Sequence, residues 1–202
     1  MDHKPTIIFD FDGVIADSFD IAFEVNKLSR PTLTLERYQN AFNGNINEVK
    51  YEDKVVKKID FFREYGDRFK HLGIDSKKKD FIQKLSQEFQ LFIISSTRSD
   101  IIQDYLQSHG ILSCFQKILG NEVHTSKVEK FKMLFEKYAL EPNNVTFITD
   151  TAGDIAEAKK VGVKIIVGIL GGYQNEQNLI NGNPSIVVKD FSQFYDFVHT
   201  TI

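Results

Sequence analysis

Strand-like and helix-like stretches alternate along most of this 202-residue chain, and the alternation predicts an α/β fold with a doubly wound, Rossmann-like parallel sheet. Three observations carry that reading. The strand-like runs are apolar throughout rather than alternating, as strands covered on both faces require. The stretches between them repeat apolar residues at helical spacing. One long segment, residues 17–79, has no strand-like run and reads as a helical insertion.

The elements follow in order. Thr6-Ile7-Ile8-Phe9 is the first apolar run and ends in Asp10-Phe11-Asp12-Gly13. The insertion is rich in Lys, Asp and Asn. Its aromatics, among them Phe19, Phe23, Tyr38, Phe42, Tyr65 and Phe69, suggest a small core of its own. The chain thus divides into a core of residues 1–16 and 80–202 and an α-helical cap of residues 17–79. Later runs lie at Leu91-Phe92-Ile93-Ile94, Val145-Thr146-Phe147-Ile148 and Lys164-Ile165-Ile166-Val167-Gly168. Weaker strands are expected at Phe115–Leu119 and Ile186–Val188. Ile101, Ile102, Tyr105 and Leu106 line a helix with Ser99 as its expected N-cap and Gly110 as its stop. Phe131, Leu134, Phe135 and Tyr138 line the next. Ile155, Ala158 and Val161 line a third, stopped by Gly162, and Phe191, Phe194, Tyr195 and Val198 line the last.

Composition narrows the function classes. Hydrophobic residues make up 42% and charged residues 26%, which is ordinary for a globular chain and excludes wholesale disorder. Lys+Arg 25 against Asp+Glu 28 gives a net charge of −3, without the basic excess of a nucleic-acid binder. The lone Cys114 excludes an internal disulfide and a cysteine-based zinc site. No apolar run approaches the roughly 20 residues that span a bilayer. Met-Asp-His-Lys-Pro leads straight into a strand with no signal-peptide core, so a soluble, cytoplasmic protein is expected.

In an open parallel sheet, ligands bind beyond the carboxyl ends of the strands. Asp10 and Asp12 follow the first strand, and Ser95-Ser96-Thr97-Arg98 the second. Asp150-Thr151-Ala152-Gly153-Asp154 follows the strand at 145–148, its two acids one helical turn apart, and Ser126-Lys127 precedes the helix before that strand. Each feature alone has a plainer explanation. Asp-x-Asp at a strand end is more often a cap or turn, Ser95 and Thr97 are candidate caps, and Lys127 alone is a surface lysine. Asp150 and Asp154 alone read as a helix cap and a solvated first-turn acid. Their convergence changes the reading. Four carboxylates in one crevice repel, so a positive partner must sit among them, and an all-oxygen set suits Mg²⁺ rather than zinc.

Asp10-Phe11-Asp12-Gly13-Val14, with Ile15-Ala16-Asp17-Ser18 behind it, resembles the first motif of the haloacid dehalogenase superfamily. Ser95, Lys127 and Asp150–Asp154 resemble its second, third and fourth motifs, in the right order. The helical insertion resembles that superfamily's cap domain. Gly171-Gly172-Tyr173-Gln174 and Pro184-Ser185-Ile186-Val187 resemble the tail of its phosphoglycolate-phosphatase-like members. The resemblance implies a Mg²⁺-dependent phosphomonoester hydrolase acting on a small phosphorylated metabolite through an aspartyl-phosphate. Asp10 is then the nucleophile, and Asp12 the general acid and base. Ser95 and Ser96 hold the phosphoryl oxygens, and Lys127 neutralises nucleophile and phosphate. Asp10, the Asp12 carbonyl and Asp150 hold the metal, with Asp154 either a further ligand or a residue just behind the ligands.

The chain departs from the common pattern in two places. Ser126-Lys127-Val128-Glu129-Lys130 lacks the Lys-Pro of many relatives, which leaves Lys130 as the alternative to Lys127. Thr149-Asp150-Thr151 stands where Gly-Asp-Ser is common. An acid at Asp12 argues against dehalogenation. Two other functions stay open: a phosphomutase with the same aspartyl-phosphate chemistry, and a non-catalytic phosphate-ligand binding protein on the same fold. Between Lys54 and Lys84, ten Lys and Arg outnumber five Asp and Glu. That excess is either a cationic cap attracting an anionic substrate or a solvated helical face. Cys114 reads as a small buried apolar residue. Of the scattered histidines (3, 71, 109, 124, 199), only His124 falls near the expected crevice.

Overall fold

The computed structural model describes residues 4–201; Met1-Asp2-His3 of the expected N-terminal lead-in and Ile202 lie outside the described residues. Strands β1 (Thr6–Phe9), β2 (Gln90–Ile94), β3 (Phe115–Leu119), β4 (Val145–Thr149), β5 (Ile165–Ile169) and β6 (Ile186–Val188) form one sheet in the order β3-β2-β1-β4-β5-β6. Every pairing is parallel. The register sets Phe9 opposite Ile93 on one side and Ile148 on the other.

Alternation along the strands splits the core in two. Ile7, Phe9, Leu91, Ile93 and Ile148 face one side and pack with the helices α4 (Ser76–Glu88), α5 (Ser99–Ser108) and α9 (Phe191–Thr201). Ile8, Phe92, Ile94, Val145 and Phe147 face the other, under α6 (Lys127–Tyr138), α7 (Ala152–Lys160) and α8 (Glu176–Asn181). Burying each such side chain contributes roughly 1.5–3 kcal/mol, so a strand apolar on both faces is held from both. This is the doubly wound α/β sheet that the sequence predicts.

Between β1 and α4 the described chain forms α1 (Phe19–Ser29), α2 (Leu35–Asn40), two 3₁₀ turns and α3 (Phe61–Phe69), with no sheet strand. Residues 76–79 are the first turn of α4, which packs on the sheet side against α9. The expectation of a separate insertion core is corrected. Phe69 packs on Phe11 and Tyr105 (ring centroids 5.6 and 5.0 Å), and Phe42 on Tyr173 (4.7 Å). The insertion's aromatics therefore continue the sheet's own core.

Two local expectations also change. Ser99 is the first residue of α5 rather than its N-cap, and its hydroxyl accepts from Gly120 N (2.9 Å). Cys114 is half-buried beside the core rather than within it.

Candidate active site

The sheet order reverses direction between β1 and β4, which opens a crevice at their carboxyl ends. Asp10 follows β1 and its N–H still reaches Ile148 O of β4 at 2.9 Å; Asp150 follows β4. Both are buried. Thr151, not Asp150, caps α7, accepting from Asp154 N (3.4 Å), so the plainer cap reading of these acids does not hold.

Lys127, the first residue of α6, joins two of the acids. Its ammonium lies 2.8 Å from Asp10 Oδ1 and 2.5 Å from Asp154 Oδ2, and it is only 3% exposed. Thr149 Oγ1 also donates to Asp154 Oδ2 (2.8 Å). Burial opposes the charge on Lys127, but the two carboxylates outweigh it and hold the ammonium protonated. Burial likewise opposes ionisation of Asp154, yet Lys127 and the hydrogen bonds keep its carboxyl below the usual range. At Asp10 burial wins over Lys127 and pushes the carboxyl well above the ordinary value.

Lys130 stands one turn further along α6 and donates to the carbonyl of Ser95 rather than to an acid. Burial, then repulsion from Lys127, brings it down to about 8. Of the two candidate lysines, Lys127 is therefore the one at the carboxylates.

Asp12 receives three hydroxyl donors. Ser18 Oγ donates to Oδ1 (2.8 Å), Tyr65 also donates to Oδ1, and Ser95 Oγ donates to Oδ2 (3.2 Å). Gly13 adopts φ +73°, and Ile15 and Ala16 N–H groups both return to Phe11 O, which closes the turn beneath Asp12. Ser95 Oγ accepts from Thr97 N (2.9 Å), while Ser96 stands at the mouth of the crevice, its carbonyl accepting from Asn121 (3.0 Å).

Asp150 packs against glycine on two sides. A Cβ at Gly13 would lie 1.9 Å from Asp150 Oδ2, and one at Gly172 2.2 Å from it. Asp150 Oδ2 accepts from Tyr173 N (2.6 Å), whereas Oδ1 is buried without a hydrogen-bond partner. Burial raises the carboxyl to about 7. A buried carboxylate oxygen left unpaired costs on the order of 1–3 kcal/mol, more when charged. A divalent cation removes that cost, and the oxygen donors of Asp10, Asp150, Asp154 and the Asp12 carbonyl suit Mg²⁺. Among the described residues no group of three or more His, Cys, Asp or Glu side chains is placed to hold a metal ion.

Several residues at the site were given no role there by the sequence. Buried Glu157 of α7 accepts from Lys127 N and Ser126 Oγ (both 3.1 Å), so it caps α6 where Ser126 does not and fixes Lys127. Gln174 accepts from Ala152 N (2.7 Å) and donates to Gln39 O and Asn43 Oδ1 (3.0 and 2.8 Å), tying the start of α7 to the insertion. Tyr173 and Gln174 follow β5, so extending the strand-end rule to that strand finds them. Tyr65 carries no such signal, since its spacing from Phe61 and Phe69 marks only a helix face. His124 is exposed and accepts from Ser126 N (2.9 Å), outside the crevice.

The acids open into a cavity of about 660 Å³ between the sheet end and the insertion, lined by Asp10, Asp12, Lys127 and Asp150 below and by Arg30, Tyr51 and Phe62 above. The sequence profile of the haloacid dehalogenase-like hydrolases matches residues 7–167. The chain belongs to this family. It is 29% identical over 98 residues to a phosphoglycolate phosphatase from Vibrio vulnificus, a match covering 47% of this chain and 42% of that protein. The chain thus spans less than half the length of the curated relatives it matches. It superposes on a haloacid dehalogenase-like hydrolase from Streptococcus pneumoniae with a TM-score of 0.79 at 18% identity, covering 98% and 100% of the two chains. CbbY from Rhodobacter sphaeroides, solved in complex with phosphate, matches with a TM-score of 0.73 at 15% identity over 95% and 96%. These superpositions bear on the fold. Among the described residues no helix is long and apolar enough to cross a membrane.

Proposed function

We propose that this haloacid dehalogenase-like protein is a Mg²⁺-dependent phosphatase that hydrolyses a small phosphorylated metabolite, with the insertion up to α4, residues 17–75, acting as a cap over the crevice. The observation that carries the reading is the pairing of Asp10 with Lys127 beside an Asp12 that takes three hydroxyl donors, all opening on one cavity. Catalysis of phosphoryl transfer is chiefly positioning and charge stabilisation, and this arrangement supplies both. The balanced charge, the single cysteine and a metabolite-sized cavity suit a cytoplasmic enzyme without a nucleic-acid partner.

Asp10 attacks phosphorus and becomes the aspartyl-phosphate, a role open to a carboxylate without a separate base. Asp12 protonates the leaving oxygen, then takes a proton from the water that hydrolyses the intermediate. The hydroxyls of Ser18, Tyr65 and Ser95 hold Asp12 in one orientation through both steps. Ser95, whose hydroxyl is committed to Asp12 in a fully buried position, is left out of phosphoryl contact, contrary to the expectation. Ser96 at the mouth of the crevice faces the phosphoryl oxygens, and Lys127 balances charge on Asp10 and on the transferred group. Asp10, the Asp12 carbonyl and Asp150, with Asp154 beside them, would hold Mg²⁺, which would supply neutralisation of the phosphoryl charge.

The test is phosphate release from p-nitrophenyl phosphate and a panel of phosphorylated metabolites, with and without Mg²⁺, for the wild type and Asp10→Asn. Mg²⁺-dependent release that falls by about 10⁴-fold or more in the variant supports the reading. Activity persisting in Asp10→Asn removes the nucleophile. An isomeric phosphate in place of free phosphate identifies transfer within the substrate instead.

A further inference from the structure

Tyr173 enters the site from the chain beyond β5, and its two polar groups reach toward different acids. Its N–H donates to Asp150 Oδ2 at 2.6 Å. Its phenol oxygen lies 3.2 Å from Ser18 Oγ, which in turn lies 2.8 Å from Asp12 Oδ1. Tyr173 is 4% exposed and Ser18 is fully buried. Phe42 and Phe19 pack edge-on against the Tyr173 ring at 4.7 and 5.1 Å, so the phenol has little freedom to turn away.

The number of protons sets the direction of this chain of hydroxyls. An ionised carboxylate only accepts, so Ser18 gives its single proton to Asp12. The Ser18 oxygen is then the acceptor, and the Tyr173 phenol the donor, at the contact between them. Tyr65 also donates to Oδ1, which fills both lone-pair positions of that oxygen, whereas Oδ2 takes Ser95 alone. The open position on Asp12 is therefore on Oδ2. A serine hydroxyl with no donor onto its oxygen is free to rotate, and rotation of Ser18 would open Oδ1 as well. We propose that Tyr173 is a positioning residue for Asp12: its phenol fixes the Ser18 hydroxyl on Oδ1, so that the proton given to the leaving oxygen, and later taken from water, passes through Oδ2. The proposal rests on the hydrolase reading for the reaction and on these hydrogen bonds for the relay.

The test is a double-mutant cycle of Tyr173→Phe and Ser18→Ala, read as kcat and KM with p-nitrophenyl phosphate. Tyr173→Phe keeps the ring and the N–H to Asp150 and removes only the hydroxyl. It is expected to lower kcat about fivefold or more with KM within about twofold, and to lower it less than about twofold further once Ser18 is alanine. An unchanged kcat overturns the proposal. So does a raised KM at constant kcat, which would make the phenol a substrate contact, and so does an equal loss in both backgrounds. If wild type hydrolyses neither p-nitrophenyl phosphate nor the metabolite panel, the hydrolase reading fails on its own. The relay is then read from the ¹³C carboxyl resonance of Asp12, identified by its loss in Asp12→Asn. Tyr173→Phe moving that resonance in the wild-type background but not in Ser18→Ala supports the relay. A resonance that stays in place, or that moves equally in both backgrounds, overturns it.

Discussion

The phenol of Tyr65 donates a hydrogen bond to Asp12 Oδ1, joining helix α3 of the insertion to the residue three places beyond strand β1. Tyr65 is 1% exposed, and burial, then the Asp12 charge, pushes its hydroxyl well above the ordinary range, so it remains a donor. The ring stacks on Phe61 (5.4 Å) and packs on Phe69 (5.0 Å). The proposed cap therefore touches the proposed proton-transfer residue through two hydroxyls, those of Ser18 and Tyr65, the second backed by an aromatic cluster.

Tyr65→Phe keeps that cluster and removes only the donor. A hydrogen bond to a charged group contributes about 1.5–3 kcal/mol, so kcat should fall by roughly 10- to 100-fold. The melting temperature should change little, because Ser18 and Ser95 still serve Asp12. Steady-state kinetics with p-nitrophenyl phosphate checks this, and an unchanged kcat would make the contact incidental.

The two buried lysines of α6 separate by partner. Lys127→Met leaves Asp10 and Asp154 without their cation, at a cost of about 3–5 kcal/mol in stability. It should also lower kcat by at least about 100-fold. Lys130→Met removes a donor to a backbone carbonyl and a charge that burial already disfavours, so kcat should fall by less than about tenfold. Urea denaturation and kcat measured on both variants decide it. The reverse ranking would assign the catalytic role to Lys130.

Much of this was legible in the sequence because strand ends announce themselves. An apolar run such as Val145–Ile148 followed by Asp150 leaves little freedom about where the acid lies in a parallel sheet. Lys127 needed the structure, since its distance from Asp10 depends on how α6 lies across β2 and on Glu157 capping its first turn. Tyr65 and Asp12 are 53 residues apart, and no local pattern links them.

Asp150 gives the metal-free protein a distinct pH dependence. Its folded value of about 7 lies above the unfolded value near 3.8, so the folded state binds the extra proton. The stability this adds is complete below pH 3.8 and is lost as pH rises through 7. Binding of Mg²⁺ requires the carboxylate, so the cation competes with that proton and its stabilising effect grows over the same window. The rise in Tm on adding Mg²⁺ should be larger at pH 8 than at pH 5, and Asp150→Asn should remove most of the difference. Equal shifts at both values would separate Asp150 from the cation.

Gly172 lets Asp150 occupy its place. A Cβ there would meet Oδ2 at 2.2 Å and the Asp150 Cβ at 2.6 Å, distances that no small adjustment relieves. Asp150 has little room to give, because Gly13 packs against the same oxygen and Tyr173 N holds it from the chain beyond β5. Gly172→Ala should therefore cost about 1–3 kcal/mol through overpacking. The displaced carboxylate should also weaken Mg²⁺ activation, so the Mg²⁺ concentration giving half-maximal activity rises at least about tenfold. Gly73→Ala is the control, since a Cβ at that position meets nothing within 4 Å. Thermal melts and Mg²⁺ titrations of activity on both variants separate loss of stability from loss of metal response. A Gly172→Ala protein that melts early yet titrates normally would show that Asp150 tolerates displacement, and with it that the metal does not depend on this oxygen.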